Sequence, residues 1–420
     1  MNRKKILMVA GVFYPEPIVS ANLLTQLATE LAKRYDVMVM RPKPTRPKGF
    51  KMPIYNYSQF PFKVVEIDSY ICAESSLFGR YKETISMGKI CADYIDKHHY
   101  EIDFVFNDAW HLWGVNMVAK VACRYGIPYI TPVQDIYPES LASKLPKIKL
   151  LQWLVMKLLG PIDRYTLVHA AKIHTISDKM VEQLSVTRCL PKKKFVVVRN
   201  WQNEDEFIAF TEAKATLNED LNCCAPFTFM YLGNVGPLAG IEVLFDALKI
   251  AQLSNARLVV AGSGSAKEAL IDKAKRYTNC NIEFWDVPAG MVPSIQDKAD
   301  VLCLPVKKGF AISSIPSKLP AYMFSAKPIL ASVDKESDTA ECVINAKAGW
   351  VALPEDANDV ARCMKMAYIL SEKQLQEMGK RGFKYSMQYF SRKVNLPILV
   401  NTCVEVIEEY NKRNNNLCKQ

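Results

Sequence analysis

Short apolar runs alternate with amphipathic stretches along this chain. Ile6–Val12 has the length and composition of a strand buried on both faces, and Ser20–Arg34 follows with Leu23, Leu24, Leu27 and Leu31 at helical spacing. Val37–Arg41 returns to strand character, and the proline-rich residues 42–62 read as a long loop. Further strands are predicted at Val64–Ile67, Phe104–Asn107, Tyr129–Val133 and near 173–176 and 195–198, with helices over Ile85–Lys97 and 112–124. Continuous apolar strands between helices indicate a parallel sheet covered on both faces.

The rhythm breaks at Asn200-Trp201-Gln202-Asn203-Glu204-Asp205-Glu206, a polar stretch without period, and then restarts. Strands are predicted at Thr228–Leu232, Arg257–Ala261, Ile282–Trp285, Val301–Pro305, Pro328–Ala331 and Gly349–Leu353. Helices are predicted over 240–249, 266–276, 318–324, 338–345, 358–368 and 372–382, with a long terminal helix near 392–413. The expected fold class is therefore α/β, with two Rossmann-like parallel-sheet domains, 1–200 and 201–391, facing across a cleft. Residues 392–420 cannot extend the second sheet and are expected to pack back on the first domain.

Composition sharpens this picture in three ways. Half of the 420 residues are hydrophobic, which supports two full cores. No run of 18 apolar residues occurs, and the basic start Met1–Lys5 leads straight into a strand and a Tyr-Pro turn, so neither a membrane span nor a signal peptide is expected. The 12 cysteines include no CxxC pair and read as reduced thiols in the cytoplasm. Charge is lopsided: residues 1–200 carry 29 Lys and Arg against 17 Asp and Glu, a net +12 within a total of +11. A basic first half suits an anionic surface or substrate: nucleic acid, anionic membrane or a lipid diphosphate.

Chemistry concentrates at the predicted C-terminal strand ends, where open parallel sheets bind ligands. Pro316-Ser317-Lys318-Leu319 opens a short helix, whose free N–H groups beside a lysine suit a phosphate. Gly233-Asn234-Val235-Gly236 and Gly262-Ser263-Gly264 each join a strand to a helix. One such turn alone is more often simple geometry; two together with Lys318 point to a ligand. Neither is the full GxGxxG fingerprint of dinucleotide enzymes. In the first half, Tyr14 and Glu16 lie on a proline-stiffened loop, Trp110 and His111 follow one strand, and Gln134, Asp135 and Glu139 follow the next. Asp135 and Glu139, four apart, are candidates for binding or proton transfer, and His111 is one of five histidines. Lys144, Lys147 and Lys149 run into an amphipathic stretch with Trp153 and Lys157, of the type that lies on a membrane surface. Metal-ligand spacing of the HExxH or Cys/His kind is missing, so no metal is expected. Basic residues are not interleaved with aromatics, which argues against nucleic acid.

Taken in order, several of these pieces resemble one family. Tyr14-Pro15-Glu16-Pro17, Asp135-Ile136-Tyr137-Pro138-Glu139-Ser140, Asn200, Tyr231–Gly236, Val260–Gly264, Ala299-Asp300-Val301 and Pro316–Leu319 span nearly the whole chain. The chain resembles the two-domain retaining glycosyltransferases of family 4, the GT-B fold, and within them the bacterial branch that builds O-antigen and capsule saccharides. The resemblance implies a UDP-linked sugar donor on the second domain, held without a metal by Gly233, Asn234, Gly236, Gly262, Gly264 and Pro316–Leu319. It implies a saccharide or lipid-linked acceptor against the first domain, near Tyr14, Glu16, Trp110, His111 and Gln134, on the inner face of the cell membrane. Lys318, Asp135 and Glu139 are then the candidate catalytic residues. The chain departs from the pattern where many relatives carry two glutamates, here Ser313 and Ala321, and a histidine, here Gln134. Asn234 and Ala239 stand where many relatives have arginine and lysine. These losses keep two rivals in view, a nucleotide-sugar 2-epimerase on the same scaffold and a non-catalytic binding subunit.

Overall fold

The computed structural model describes residues 3–46, 52–72, 76–143, 145, 148–216, 225–288, 290–309 and 315–417. Lys144, Lys147 and Ser313, singled out above, lie outside the described residues. The chain divides into two units: one runs to Asn200 and resumes at Asn395, and the other is Trp201–Val394.

In the first unit, strands β1 (Lys5–Ala10), β2 (Asp36–Pro42), β3 (Lys63–Ile67), β4 (Phe104–Asp108), β5 (Tyr129–Val133), β6 (Lys172–Thr175) and β7 (Phe195–Val197) form one parallel sheet. Its order is β3-β2-β1-β4-β5-β6-β7, so the winding reverses at β1, where Met8 pairs in register with Val39 on one side and Phe106 on the other. Helices α1 (Val19–Ala32), α2 (Leu77–His98), α3 (Trp113–Arg124), α4 (Glu139–Ser143), α5 (Lys149–His169) and α6 (Asp178–Arg188) join the strands. Alternate strand residues Leu7, Val9, Val105, Tyr129 and Ile173 share a core with Met87 and Cys91 of α2, Val118 of α3 and Leu184 of α6. Each fully buried large aliphatic side chain there contributes about 1.5–3 kcal/mol.

The second unit opens with α7 (Glu204–Thr216) and continues as β8 (Phe227–Leu232), α8 (Glu242–Ala251), β9 (Ala256–Ala261), α9 (Lys267–Ala274), β10 (Asn281–Trp285), α10 (Val292–Asp297) and β11 (Val301–Pro305). It ends with α11 (Lys318–Phe324), β12 (Ile329–Ser332), α12 (Asp338–Ala346), β13 (Gly349–Ala352), α13 (Ala357–Tyr368) and α14 (Glu372–Tyr389). The six strands are parallel in the order β10-β9-β8-β11-β12-β13, with the reversal at β8. Phe229, Tyr231, Val260 and Cys303 pack on α8 and α13, while Met230, Leu232, Val259 and Leu304 pack on α11 and α12.

The last helix, α15 (Arg392–Leu417), starts in the second unit, where the carboxylate of Glu204 accepts the backbone N–H groups of Arg392 (2.8 Å) and Lys393 (3.1 Å). From Asn395 onward it belongs to the first unit. Asn395 accepts the Arg199 N–H at 2.9 Å, and Leu399, Cys403 and Ile407 are buried.

Four local expectations need correction. The stretch read as aperiodic at 200–206 already begins α7; its apolar residues, Phe207 chief among them, do not repeat cleanly enough to signal a helix. Helix α6 was not expected, because its outward face is polar and just Met180, Leu184 and Arg188 are buried. Helix α2 starts at Leu77 rather than Ile85, with the Ser76 hydroxyl accepting the Gly79 N–H. Helix α14 runs to Tyr389 rather than 382, held by Phe383 and Tyr385 against the α11 core. Nine cysteines are described, each a free thiol.

Candidate functional site

The C-terminal strand edge of the second sheet brings three sequence-remote segments together. Tyr322 of α11 is fully buried; its hydroxyl accepts the Leu232 N–H at 2.8 Å and donates to the Leu232 carbonyl at 2.9 Å. That bridge fixes α11 against the end of β8. Lys318, one helical turn earlier, therefore lies across Gly233, with its ammonium 5.4 Å from the centre of the Tyr231 ring. A Cβ built on Gly233 would overlap Cε and Cδ of Lys318, so glycine is required for the lysine to take this path. Gly262 is constrained as well, by a positive φ of 127° and by the Gly233 carbonyl, which would collide with any Cβ. The two glycine turns are also tied by hydrogen bonds. Val235 N–H donates to Ser263 O at 2.8 Å, and Ala266 N–H to Val235 O at 3.0 Å. Gly264 abuts the Val235 carbonyl and the Asn234 side chain, which is also the nearest group to Gly236.

The electrostatics of this edge rest on Lys318. Burial pushes its pKa below the usual lysine value, and it forms no ion pair with a described residue. The helix start supplies fewer donors than its sequence suggests. Ser317 occupies the cap position without a side-chain cap, the Leu319 N–H is taken by the Pro316 carbonyl at 3.0 Å, and Pro320 has none to offer. Charge from the lysine, more than a row of free N–H groups, is what this site offers an anion. Sequence reasoning missed Lys307, which follows β11 and sits against the β8–α8 turn, with its N–H 3.4 Å from Leu238 O. Its signal was the basic pair Lys307-Lys308 directly after a buried strand.

The first-unit candidates separate into two groups. Glu16 is not an acceptor-facing acid: it is 5% exposed and pairs with the fully buried Arg41 at 3.0 Å. Its oxygens also accept N–H groups from Phe13, Thr45 and Arg46, so the carboxylate organises the loop after β1. Glu139 likewise turns away from proton transfer, since Arg188 grips both its oxygens, at 2.5 and 2.7 Å, and holds Asp163 at 2.7 Å. Asp135 and Glu139 therefore do not act as a pair. Asp135 accepts the Ser140 hydroxyl at 2.6 Å through one oxygen, and its other, buried oxygen has no partner among the described residues.

The second group makes other contacts. Tyr14 packs edge-on against Phe60, the exposed His111 stacks on Tyr137 at 5.2 Å, and Gln134 accepts the Ser20 hydroxyl at 3.3 Å. The Trp110 ring lies under the Arg46 guanidinium at 4.1 Å, and its buried indole N–H has no described partner. Asp108, at the end of β4 and next to the reversal at β1, escaped sequence reading. Burial raises its carboxyl to about 8, so it is a neutral hydrogen-bond donor near pH 7. Its pattern gave no warning, since an acid ending an apolar strand usually points to water.

In α5, Lys149, Trp153 and Lys157 all lie on the exposed face, and Lys157 stacks on Trp153 at 4.7 Å. Among the described residues no group of three metal-ligating side chains occurs, and no helix is long and apolar enough to cross a membrane.

Two parallel sheets, each with a reversal of winding, define a doubly wound α/β architecture, and comparison narrows it. Residues 226–368 match the family model described as "Glycosyl transferases group 1". A curated relative from Pseudomonas aeruginosa, "Probable glycosyltransferase WbjE", is 24% identical over 282 residues, 64% of this chain and 66% of that protein. Among solved structures, a glycosyltransferase from Rickettsia africae superposes with a TM-score of 0.66 at 14% identity, covering 98% of this chain and 100% of its own. The Anabaena protein HepE, solved in complex with UDP, gives 0.65 at 13% identity over 98% and 100%. The fold is thus GT-B, and the chain is related to glycosyltransferases.

Proposed function

We propose that the protein is a retaining glycosyltransferase that moves a sugar from a nucleotide diphosphate donor, UDP-linked, to a saccharide or lipid-linked acceptor in cell-surface polysaccharide synthesis. The observation that carries this reading is Lys318: a partly buried cation without an ion pair among the described residues, lying across Gly233 in the first of two interlocked glycine turns. The match over residues 226–368 covers that same unit, and HepE was solved with UDP. On this reading the second unit takes the donor through Gly233, Asn234, Gly236, Gly262, Gly264, Pro316, Ser317 and Leu319. The first unit takes the acceptor near Tyr14, Trp110, His111, Gln134 and Asp135, and works at the inner membrane face.

The chemistry asks little of side chains. As the C1–O bond to the diphosphate breaks, negative charge grows on the leaving oxygens, and Lys318 stabilises it in a low-dielectric setting. The acceptor oxygen attacks C1 from the same face and gives its proton to the departing phosphate, which preserves the anomeric configuration. Asp135 orients hydroxyls through its unsatisfied oxygen.

The test is calorimetric binding of UDP in the presence of a chelator, followed by transfer from a panel of UDP-sugars to lipid-linked saccharides extracted from bacterial membranes, with the product's anomeric configuration read by NMR. Binding together with a configuration-retaining glycolipid supports the reading. Release of a free epimer, or failure to bind any nucleoside diphosphate, overturns it.

A further inference from the structure

Two arginines in the first unit share a single acid. One carboxylate oxygen of Glu83, on α2, takes both Arg46 at 3.1 Å and Arg80 at 2.6 Å, and the other accepts the Cys72 N–H at 3.2 Å. Glu83 is buried, so its one negative charge is fully committed while two positive charges lean on it. Burial, and after it the neighbouring Arg80, hold the Arg46 guanidinium below its usual pKa, as expected of a cation that is not fully compensated. Glu16 also lies near Arg46 but is matched to Arg41, and Asp135 is hydrogen-bonded to Ser140 rather than to either arginine. One positive charge is left over.

That charge sits at the C-terminal strand edge of the first sheet. The Thr84 hydroxyl, next to Glu83, donates to the Trp110 carbonyl at 3.0 Å and accepts the Gly114 N–H at 2.8 Å, which ties α2 to the segment after β4. The Arg46 guanidinium lies 4.1 Å from the centre of the Trp110 ring, and the ring rests on Gly11, where a Cβ would come within 3.1 Å of it. Arg80 and Asp135 both act on the Tyr137 hydroxyl, so Arg80 is within electrostatic reach of the segment after β5. The donors here are not used up. The buried indole N–H of Trp110 has no partner among the described residues, and Arg46 spends only one guanidinium nitrogen on Glu83. Aromatic faces stand beside them: His111 stacks on Tyr137, and Tyr81 packs edge-on against Trp113 at 4.9 Å while remaining 41% exposed. Such rings offer apolar contact to one face of a sugar while polar groups read its edge.

We propose that Arg46 and Arg80 hold the carboxylate of an acidic sugar, a uronic acid of the acceptor saccharide, beside Trp110. A planar guanidinium fork matches a planar carboxylate in two-point contact. The charge count also selects this group: one surplus positive charge balances one carboxylate, whereas a phosphate ester or a lipid diphosphate brings more negative charge than the site can balance. This inference rests on the functional reading above, which makes the first unit the acceptor side, and narrows the acceptor to one class of sugar. The binding itself is measured without a donor.

The experiment is titration of the full chain, followed by ligand-observed NMR, with the methyl glycosides of glucuronic, galacturonic and mannuronic acids and of their neutral parents glucose, galactose and mannose. At least one uronide should bind about tenfold or more tightly than its neutral parent, as a charge-assisted contact implies, and added salt should shrink that preference. Arg46→Gln and Arg80→Gln should each abolish the preference and leave binding of the neutral glycosides unchanged. Arg80→Lys keeps the charge without the fork and should retain part of it. Each variant leaves Glu83 one arginine, so melting temperature and UDP binding should hold, which separates loss of ligand from loss of fold. Uronides that bind no tighter than their neutral parents, or a preference that survives both glutamine variants, overturn the proposal. So does methyl mannoside 6-phosphate binding more tightly than every uronide, since the site would then take a dianion. Sugar transfer to neutral acceptors without any uronide preference sinks this inference alone. Uronide binding in a protein unable to bind nucleoside diphosphates would instead sink the transferase reading and leave the arginine site standing.

Discussion

Replacing Lys318 by Met keeps the length and apolar stem of the side chain and deletes its charge. In the free protein that charge is a burden. Burial holds the ammonium below its ordinary pKa, so the unfolded chain binds the proton more tightly than the native one, and native stability rises with pH through that window. Methionine at this position carries no such penalty. Lys318→Met should therefore melt at the same temperature as the wild type or higher. With a diphosphate bound the sign reverses, because the ammonium then supplies a charge-assisted hydrogen bond worth about 1.5–3 kcal/mol. Losing it should weaken UDP binding about 10- to 150-fold, measured by titration calorimetry at fixed salt. Turnover should fall at least as far, since charge on the leaving oxygens grows in the transition state. A variant that binds UDP within about twofold of the wild type would remove Lys318 from the site. One that loses both affinity and stability would show that the lysine is a structural element.

The same logic sorts the remaining acids and bases. Arg41→Met leaves Glu16 buried without its partner and should cost about 3–5 kcal/mol in urea unfolding while UDP affinity is retained. Glu139→Gln breaks the two-point grip of Arg188 and should lower stability, with the turnover of the folded fraction within about threefold of the wild type; a loss of a hundredfold or more would restore Glu139 to the catalytic list. Asp108 has its carboxyl raised to about 8, so the native state holds a proton that the unfolded state releases near pH 4. The contribution of this one proton to stability should fall by about 1.4 kcal/mol per pH unit between those values, read as the difference between wild type and Asp108→Asn in parallel urea titrations from pH 5 to 8. His174 is held neutral by burial, its pKa lowered to about 4, so its contribution to stability should fall on acidification from about pH 6.5 towards that value. His174→Gln should remove that part of the acid sensitivity.

What could be read from the chain was what repeats. Strands such as Ile6–Val12 and Val301–Pro305 are uniformly apolar because both sheet faces are covered, and that pattern survives without tertiary context. Helices α6 and α7 bury few side chains, so their sequences are nearly aperiodic and their existence depends on what they pack against. Side-chain duty is harder still. Glu16 and Glu139 look available as residue types at strand ends, yet Arg41 lies 25 positions and Arg188 49 positions away in sequence, and nothing local announces either pairing. Asp108 shows the opposite case, an acid without a charged partner among the described residues, which becomes visible once burial is known.

Gly233 illustrates how far backbone geometry can replace side-chain chemistry at the proposed donor edge. Ser313 and Ala321 stand where the resemblance to family 4 leads one to expect glutamates, and Ala321 packs partly against the α11 core. On the proposed reading, no carboxylate at 321 is available to grip ribose or sugar. Recognition would then lean on the diphosphate, which Lys318 could meet because glycine at 233 leaves room for its stem and the Tyr322 bridge fixes the helix that carries it. A monodentate cation over glycine turns reads charge well and reads base or sugar poorly. On that reading, selectivity among donors would come from side chains rimming that edge: Asn234 beside Gly236 and Gly264, and Lys307 against the β8–α8 turn.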